Sequence, residues 1–218
     1  MKGLLIKDFK IMALQKNFFV LIFAIVLGMM VLNEDVAFPL CFFSFIMSLF
    51  VLTTISYDDF DNGYPFLFTL PITRKMYVNE KYLLATLLGG GSWIFSIIIA
   101  AIVSTVKASL SISDLIMIAC LILPFIILMQ AVMIPFQLKY GGEKGRIAMT
   151  GTFGALGVIG IILVRGAKSL FNIDLIDVFN SLSTLNMSVL ILIALIFALI
   201  CLFVSLKVSI TIMKCKEL

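Results

Sequence analysis

Six long apolar stretches limit what this chain can fold into. They cover roughly residues 18–32, 36–55, 82–106, 115–136, 147–164 and 189–212. A helix needs about 20 apolar residues to cross the ~30 Å hydrocarbon layer of a bilayer, and most of these stretches are near that length. Charged residues make up only 13% of the chain and the mean hydropathy is +1.21, whereas soluble domains contain about 25% charged residues. The sequence therefore predicts an all-α integral membrane protein with six transmembrane helices.

The distribution of Lys and Arg between these stretches predicts their orientation. Four lie in the N-terminal segment, three in residues 57–81, three in residues 137–146 and two in the C-terminal tail, against three on the opposite side. Lys207 lies inside the last stretch, near the end from which its side chain can snorkel to the interface. Because Lys and Arg accumulate on the cytosolic side, we expect a multi-pass plasma-membrane protein with both termini in the cytosol. Residues 1–218 would form a single transmembrane domain.

Residues 1–17 are predicted to form an amphipathic helix that lies in the membrane interface. Its apolar face is formed by residues at helical spacing, namely Leu5, Ile6, Phe9, Met12 and Ala13. The other side carries Lys7, Asp8 and Lys10. Together with Lys2, these lysines would reach the anionic headgroups of membrane lipids. The alternative is an ordinary basic N-terminal flank, since apolar residues also interrupt the polar side.

The longest polar interruption is residues 57–81, YDDFDNGYPFLFTLPITRKMYVNEK. Within it, the run PFLFTLP is too short to cross a bilayer and too apolar to be left in water. Asp61 and Gly63 suit a turn or a helix N-cap, Pro65 suits a first helical turn, and Pro71 ends the helix. We therefore predict a short apolar helix on the cytosolic side, covered by a partner.

A second helix is predicted to follow the short one directly. Thr73 suits its N-cap, and the helix should run from Arg74 into the third apolar stretch. A short apolar helix joined in this way suits a docking surface, on which charges fix the register and apolar side chains fill a partner's groove. The predicted docking residues are Asp58, Asp59, Asp61, Gly63, Tyr64, Phe66, Leu67, Phe68, Leu70, Pro71, Arg74 and Lys75. Taken singly, the charged ones also fit solvated residues near a membrane surface.

Two further segments leave alternatives open. Gly89, Gly90 and Gly91 in the third stretch allow either close packing against another helix or a hinge, and we favour close packing. Residues 165–188 form a long external connection. It is too apolar for a free loop, so it either dips back into the bundle or lies on the outer interface.

The chain lacks most of the residues and motifs that catalysis, metal binding or ion-driven transport require. The chain has no His, and its four Cys form no CxxC pair. It contains no phosphate-binding loop, and every acidic residue falls in a predicted loop or terminus, which argues against a proton- or ion-driven carrier. We expect no enzymatic activity, metal or cofactor in this chain, and no nucleic-acid partner. A channel would need polar pore-lining residues, and the available ones are sparse: Ser44, Ser48, Thr53, Thr54 and Gln130.

The chain resembles the membrane subunits of type 2 ABC exporters. The resemblance rests on the opening MKGLLIKDFK, on an interfacial helix followed by six spans, and on the run DDFDNGYPFLFTLPITRKMYVNEKYL. In that family an acidic residue, a glycine and a Leu-Pro-Ile-Ser/Thr-Arg-Lys run frame a coupling helix after the second span. Here Asp58 or Asp59, Gly63 and residues 70–75 occupy those places. Larger members show Glu-Arg and Gly-Thr, where this chain has Asp58, Asp59, Gly63 and Tyr64.

The resemblance implies a permease that is not itself an enzyme. Two copies would pair, and each would dock one cytosolic ABC ATPase through residues 64–70, with ATP and Mg²⁺ bound by the ATPase. In particular, the chain resembles the small bacterial permeases of phenol-soluble modulin export and of lantibiotic or bacitracin resistance. The cargo would be amphipathic antimicrobial or cytolytic peptides, or lipid-like molecules. The alternative is a non-transporting immunity or sensor subunit that binds a toxic peptide.

Overall fold

The computed structural model describes residues 2–32, 37–60, 63–107, 111–141 and 187–216. This part of the chain forms seven α-helices and contains no β-strand. The helices are α1 (Lys2–Leu14), α2 (Lys16–Leu32), α3 (Ala37–Asp59), α4 (Gly63–Thr69), α5 (Arg74–Lys107), α6 (Ile112–Tyr140) and α7 (Met187–Cys215). The predicted all-α class is confirmed. The predicted span 147–164 and residues 165–186 of the predicted external connection lie outside the described residues, and residues 187 and 188 begin α7.

Four of these helices are long and apolar enough to cross a membrane, namely α3, α5, α6 and α7. The helix α2 contains the first predicted stretch and has 17 residues. It meets α1 at a bend of 67°, and the two helices together also reach the length and hydropathy of a span. The structure therefore supports an integral membrane protein with several membrane-crossing helices.

The helix α5 continues without a break through the three consecutive glycines, over 34 residues. At Gly89 the backbone lies directly against α6. A Cβ atom there would lie 2.6 Å from Nε2 of Gln130 and 3.2 Å from Cγ2 of Ile126. Glycine permits this approach because it has no side chain. The structure thus favours close packing over a hinge at this position.

The buried apolar residues form two clusters at opposite ends of the bundle. One cluster joins α2 to the beginning of α3, the end of α5 and the beginning of α6. The other contains Leu4 of α1, Tyr64 of α4 and Met213 of α7, packed with residues from the opposite ends of α3, α5 and α6. This second cluster places α1, α4 and the C-terminal end of α7 at the same end of the bundle.

Several polar side chains that the sequence offered as pore-lining candidates lie between helices. Ser44 and Ser96 hydrogen-bond at 3.1 Å. Gln130 donates to Oγ of Ser48 and to the carbonyl of Ala85, both at 2.8 Å. Hydrogen bonds of this kind connect helices inside membranes, where an unpaired polar group is costly. These residues therefore serve helix packing in the described bundle.

Candidate functional site

The helix α4 forms where the local sequence predicts it. It begins at Gly63, where a Cβ atom would lie only 2.7 Å from the backbone oxygen of Asp58. Pro65 lies in its first turn, and the helix ends at Thr69, two residues before Pro71. These positions agree with the predicted N-terminal and C-terminal signals. Asp61, which was predicted to belong to the site, lies outside the described residues.

The following helix is capped as predicted. The side-chain oxygen of Thr73 accepts a hydrogen bond of 3.2 Å from the backbone N–H of Met76. The helix α5 then begins at Arg74 and continues into the bundle. Because only four residues separate the end of α4 from Arg74, the two helices are joined by a short turn.

The two sides of α4 differ sharply in exposure. Tyr64 and Leu67 are 2% and 8% exposed and belong to the apolar cluster at this end of the bundle. Phe66 is 74% exposed and Leu70 is 47% exposed. Residues 64 and 67 lie on one face of the helix and residue 66 lies on another, while Leu70 directly follows the end of the helix. The helix is therefore fixed to the bundle by one face and presents apolar side chains on the other.

An aromatic cluster holds the buried face of α4. The ring of Tyr77 lies 5.8 Å from that of Tyr64 and 6.0 Å from that of Phe68, both in edge-to-face geometry. The guanidinium of Arg74 lies 6.0 Å from the Phe68 ring. Phe68 was predicted with Phe66 to dock a partner, but its half-buried ring packs against Tyr77 of α5. Leu67 and Tyr64 were also predicted to dock a partner, and they too are turned inward.

The C-terminal end of α7 is attached to the same corner. Arg74 donates to the carbonyl oxygens of Met213 and Lys214, at 3.2 and 2.6 Å. These carbonyls lie in the last turn of α7, where helix geometry leaves them without an intrahelical donor. Lys216 forms an ion pair of 3.1 Å with Asp59, and its ammonium lies 4.4 Å from the centre of the Tyr64 ring. Arg74 and Asp59 thus fasten α7 to α4 and its neighbours.

We predict that Gly141→Ala lowers the free energy of unfolding by about 1–3 kcal/mol. Gly141 caps α6 with a φ of 77°, which favours glycine, and a Cβ atom would overlap the carboxylate of Asp59. Denaturant titration of the purified protein in detergent measures the change. The control is Gly90→Ala, because a Cβ atom at Gly90 meets nothing within 4 Å. Alanine is also the better helix former, so Gly90→Ala should not destabilise, and an equal loss in both variants contradicts the assignment.

Beneath α4 lies a charge cluster formed by Lys7, Asp8, Asp58, Glu80 and Lys81. The ammonium of Lys81 lies 2.5 Å from Asp8 and 2.9 Å from Asp58, and the side chains of Lys81 and Asp8 are fully buried. Lys7 contacts both of these aspartates. The cluster joins three helices, since Asp8 is on α1, Asp58 on α3 and Lys81 on α5.

Two neutral hydroxyl groups complete the surroundings of the charge cluster. Lys81 donates to Oγ1 of Thr54 at 3.2 Å, and the hydroxyl of Tyr77 donates to Asp58 at 3.1 Å. Glu80 is also buried, with its carboxylate 3.7 Å from the Lys81 ammonium. Tyr77 contacts both the charge cluster and the aromatic rings of α4. The position of α4 is therefore connected through one tyrosine to the ion pairs between α1, α3 and α5.

The charge cluster corrects two sequence-based expectations. Asp8 was placed with Lys7 on the water-facing side of α1, but it points into the bundle with Leu4 one turn earlier. Glu80 and Lys81 belong to the helix predicted from Arg74, but both are buried, whereas the sequence predicts a polar stretch over residues 57–81. The statement that every acidic residue lies in a loop or terminus is therefore wrong. No local sequence signal indicates this cluster, because its partners lie on three different helices.

The remaining predicted residues lie around this corner. Lys2, Lys10 and Phe9 are exposed on α1, as a contact with the membrane interface requires. Lys75 and Pro71 are exposed close to the end of α4. No group of three or more His, Cys, Asp or Glu in the described ranges could hold a metal ion. The arrangement suits mechanical contact with another molecule, by an exposed apolar patch on a helix fixed to the bundle.

Comparison with known proteins extends over nearly the whole chain. The family model described as ABC-2 family transporter protein matches residues 3–214. Nothing matches among curated proteins or among solved structures. The matched range begins in α1 and ends in the last turn of α7, so it includes α4 and the charge cluster.

Proposed function

The chain belongs to the ABC-2 family of transporter proteins, and we propose that it is the permease subunit of an ATP-driven exporter, docked through α4 to a separate ATPase. Proteins of this family are the membrane component of ABC transporters, and they act with an ATPase subunit. ATP and Mg²⁺ are bound by that partner, and this chain couples its motion to the membrane helices.

The observation that carries the proposal is the two-sided environment of α4. A docking helix has to present apolar side chains to its partner and must also pass force to the bundle. Phe66 supplies the exposed anchor, and phenylalanine is enriched in the buried core of protein interfaces. Tyr64 and Leu67 supply the attachment to the bundle. Leu70 extends the exposed patch beyond the end of the helix.

Motion of α4 reaches the membrane helices through Tyr77. Its ring contacts Tyr64 and Phe68, and its hydroxyl binds Asp58 of the charge cluster. Lys81 lies one helical turn farther along α5 and pairs with Asp8 of α1. A force on α4 therefore acts on α3, α5 and α1 together. Arg74 and Lys216 add the end of α7 to the same unit.

The permease has six spans in a single domain of residues 1–218, with both termini and residues 57–81 in the cytosol of a bacterial cell. Five of the spans correspond to α2, α3, α5, α6 and α7, and residues 147–164 supply the other one. The Lys and Arg distribution supports this orientation. Phe9 and the lysines of α1 contact the membrane interface, and the connection that ends where α7 begins lies on the external side.

Two identical permeases form the translocation path between them, because six spans are few for a path within one chain. The cargo is an amphipathic peptide or a lipid-like molecule. Support comes from the apolar character of the exposed helix surfaces, which include Ile196, Phe203 and Ile98, and from the resemblance to small peptide-exporting permeases.

We expect Phe66→Asp to weaken ATPase docking at least about 30-fold, since removal of an interface anchor costs 2 kcal/mol or more. The permease itself should keep its stability, because Phe66 lies outside the core. The measurement is co-purification of the co-expressed ABC ATPase with the tagged permease, followed by titration of the ATPase onto permease in nanodiscs.

Phe66→Leu is the matched control, because it keeps an apolar side chain at the same position and should retain most of the docking. An ATPase that binds Phe66→Asp as tightly as the original chain contradicts the role of α4. A permease that captures peptide but recruits no ATPase favours the immunity or sensor function instead.

A further inference from the structure

A second site lies beside the C-terminal end of α7. A groove of about 560 Å³ opens between the ends of α6 and α7. Three lysines line it: Lys139 from α6, Lys207 from α7, and Lys216, which directly follows α7. Such a concentration of positive charge is unusual in a chain with only 13% charged residues. It identifies an anion as the matching ligand.

Two of these ammonium groups have no anionic partner among the described residues. Lys216 pairs with Asp59, so its charge is already compensated. Lys139 lies over the ring of Tyr140, at 5.1 Å from its centre, and forms no ion pair within the described ranges. The Lys207 side chain has no hydrogen-bond or ion-pair partner in the part of the chain that the structure describes. The groove therefore offers two positive charges that no described residue neutralises.

The position of Lys207 makes an uncompensated charge costly. It is eight residues before the end of α7, which corresponds to about 12 Å along the helix axis. The preceding part of α7 is strongly apolar. A lysine at this depth either extends its side chain to the interface or pairs with an anion.

The wall of the groove is suited to a hydrocarbon chain. Val208 and Ile212 lie on the same side of α7 as Lys207 and line the groove with it. Positions 208 and 212 are one helical turn apart, so they form a continuous apolar strip. The ligand that matches this surface carries an anionic group at one end and hydrocarbon at the other.

We propose that this groove binds an anionic phospholipid, with its phosphate between Lys139 and Lys207 and an acyl chain along Val208 and Ile212. Basic pockets between membrane helices are suited to anionic lipid headgroups. The site is separate from the exposed face of α4 and does not require an ATPase. The phospholipid that fills the groove comes from the surrounding bilayer.

Lipid retention on the purified full chain tests the charge requirement. In native mass spectrometry, the protein should retain phosphatidylglycerol in preference to phosphatidylcholine. Lys207→Gln and Lys139→Gln should each reduce this preference about tenfold, because each removes a charge-assisted contact. Lys214→Gln is the matched control, since this exposed lysine is also near the end of α7 but does not line the groove. Equal loss in all three variants overturns the site.

Cys215 provides an independent readout, because it lines the groove and is exposed. Alkylation of Cys215, followed by peptide mass spectrometry, should be slowed several-fold by vesicles containing phosphatidylglycerol compared with phosphatidylcholine alone. Lys207→Gln should abolish that difference. Equal protection by soluble glycerol phosphate indicates a simple anion site and overturns the lipid proposal. A Cys215 that stays unreactive in both lipids indicates coverage by residues 142–186 of the same chain, and also overturns it.

Discussion

Replacement of Lys81 by methionine should lower the free energy of unfolding by about 3–5 kcal/mol. The Lys81 ammonium is fully buried and pairs with Asp8 and Asp58. Methionine keeps an unbranched apolar side chain but removes the charge, so two largely buried carboxylates lose this cation and keep only Lys7. A buried charge without its partner is strongly destabilising. Denaturant titration in detergent, followed by the fluorescence of Trp93, measures the loss, since Trp93 is the single tryptophan of the chain.

Two variants control for effects other than the lost ion pair. Lys75→Met removes a lysine from an exposed position on the same helix, and it should change stability by no more than about 0.5 kcal/mol. The double variant Asp8→Asn with Lys81→Met should recover most of the loss, because it removes the orphaned carboxylate and leaves the Lys7–Asp58 pair. If the double variant is less stable than Lys81→Met alone, the pairing of Asp8 with Lys81 is wrong.

The short helix was predictable because its signals are local. Pro65, Pro71 and Thr73 each restrict or satisfy the backbone at their own positions, and these restrictions hold without knowledge of the remaining fold. The membrane-crossing helices were predictable for a similar reason. Length and hydropathy are properties of each stretch alone, and a long apolar helix is stable across a bilayer in any protein. The helix α5 shows both effects, with a cap at Thr73 and an apolar continuation.

The charge cluster was not predictable because it depends on contacts between distant residues. Asp8 and Lys81 are separated by 73 positions, and no local pattern indicates that they meet. The burial of Asp8 on α1 was not predictable for the same reason. Asp8 is close in sequence to Lys7 and Lys10, which suggests a solvated surface. Its contact with Lys81 exists only in the folded protein. The difference between Phe66 and Phe68 was not predictable either, because the two residues look alike in sequence and only Phe68 packs against Tyr77 of α5.

Leu67→Asp should lower the free energy of unfolding by at least about 2–5 kcal/mol, the usual cost of removing a buried leucine side chain, even before the carboxylate is desolvated. Leu67 is 8% exposed and belongs to the apolar cluster that fixes α4. Its neighbour Phe66 is 74% exposed, so the same change at Phe66 should alter the stability of the isolated permease by no more than about 0.5 kcal/mol.

These adjacent substitutions separate attachment from docking. Both should reduce binding of the ATPase, Phe66→Asp by removing the anchor and Leu67→Asp by releasing α4 from the bundle. Only Leu67→Asp should also lower the midpoint of denaturant unfolding when the ATPase is absent. Leu67→Met is the conservative control, since a volume-conserving apolar replacement usually costs less than about 1.5 kcal/mol. If Phe66→Asp and Leu67→Asp destabilise the isolated permease equally, α4 does not have one buried and one exposed face, and force cannot pass from a partner through it to Tyr77.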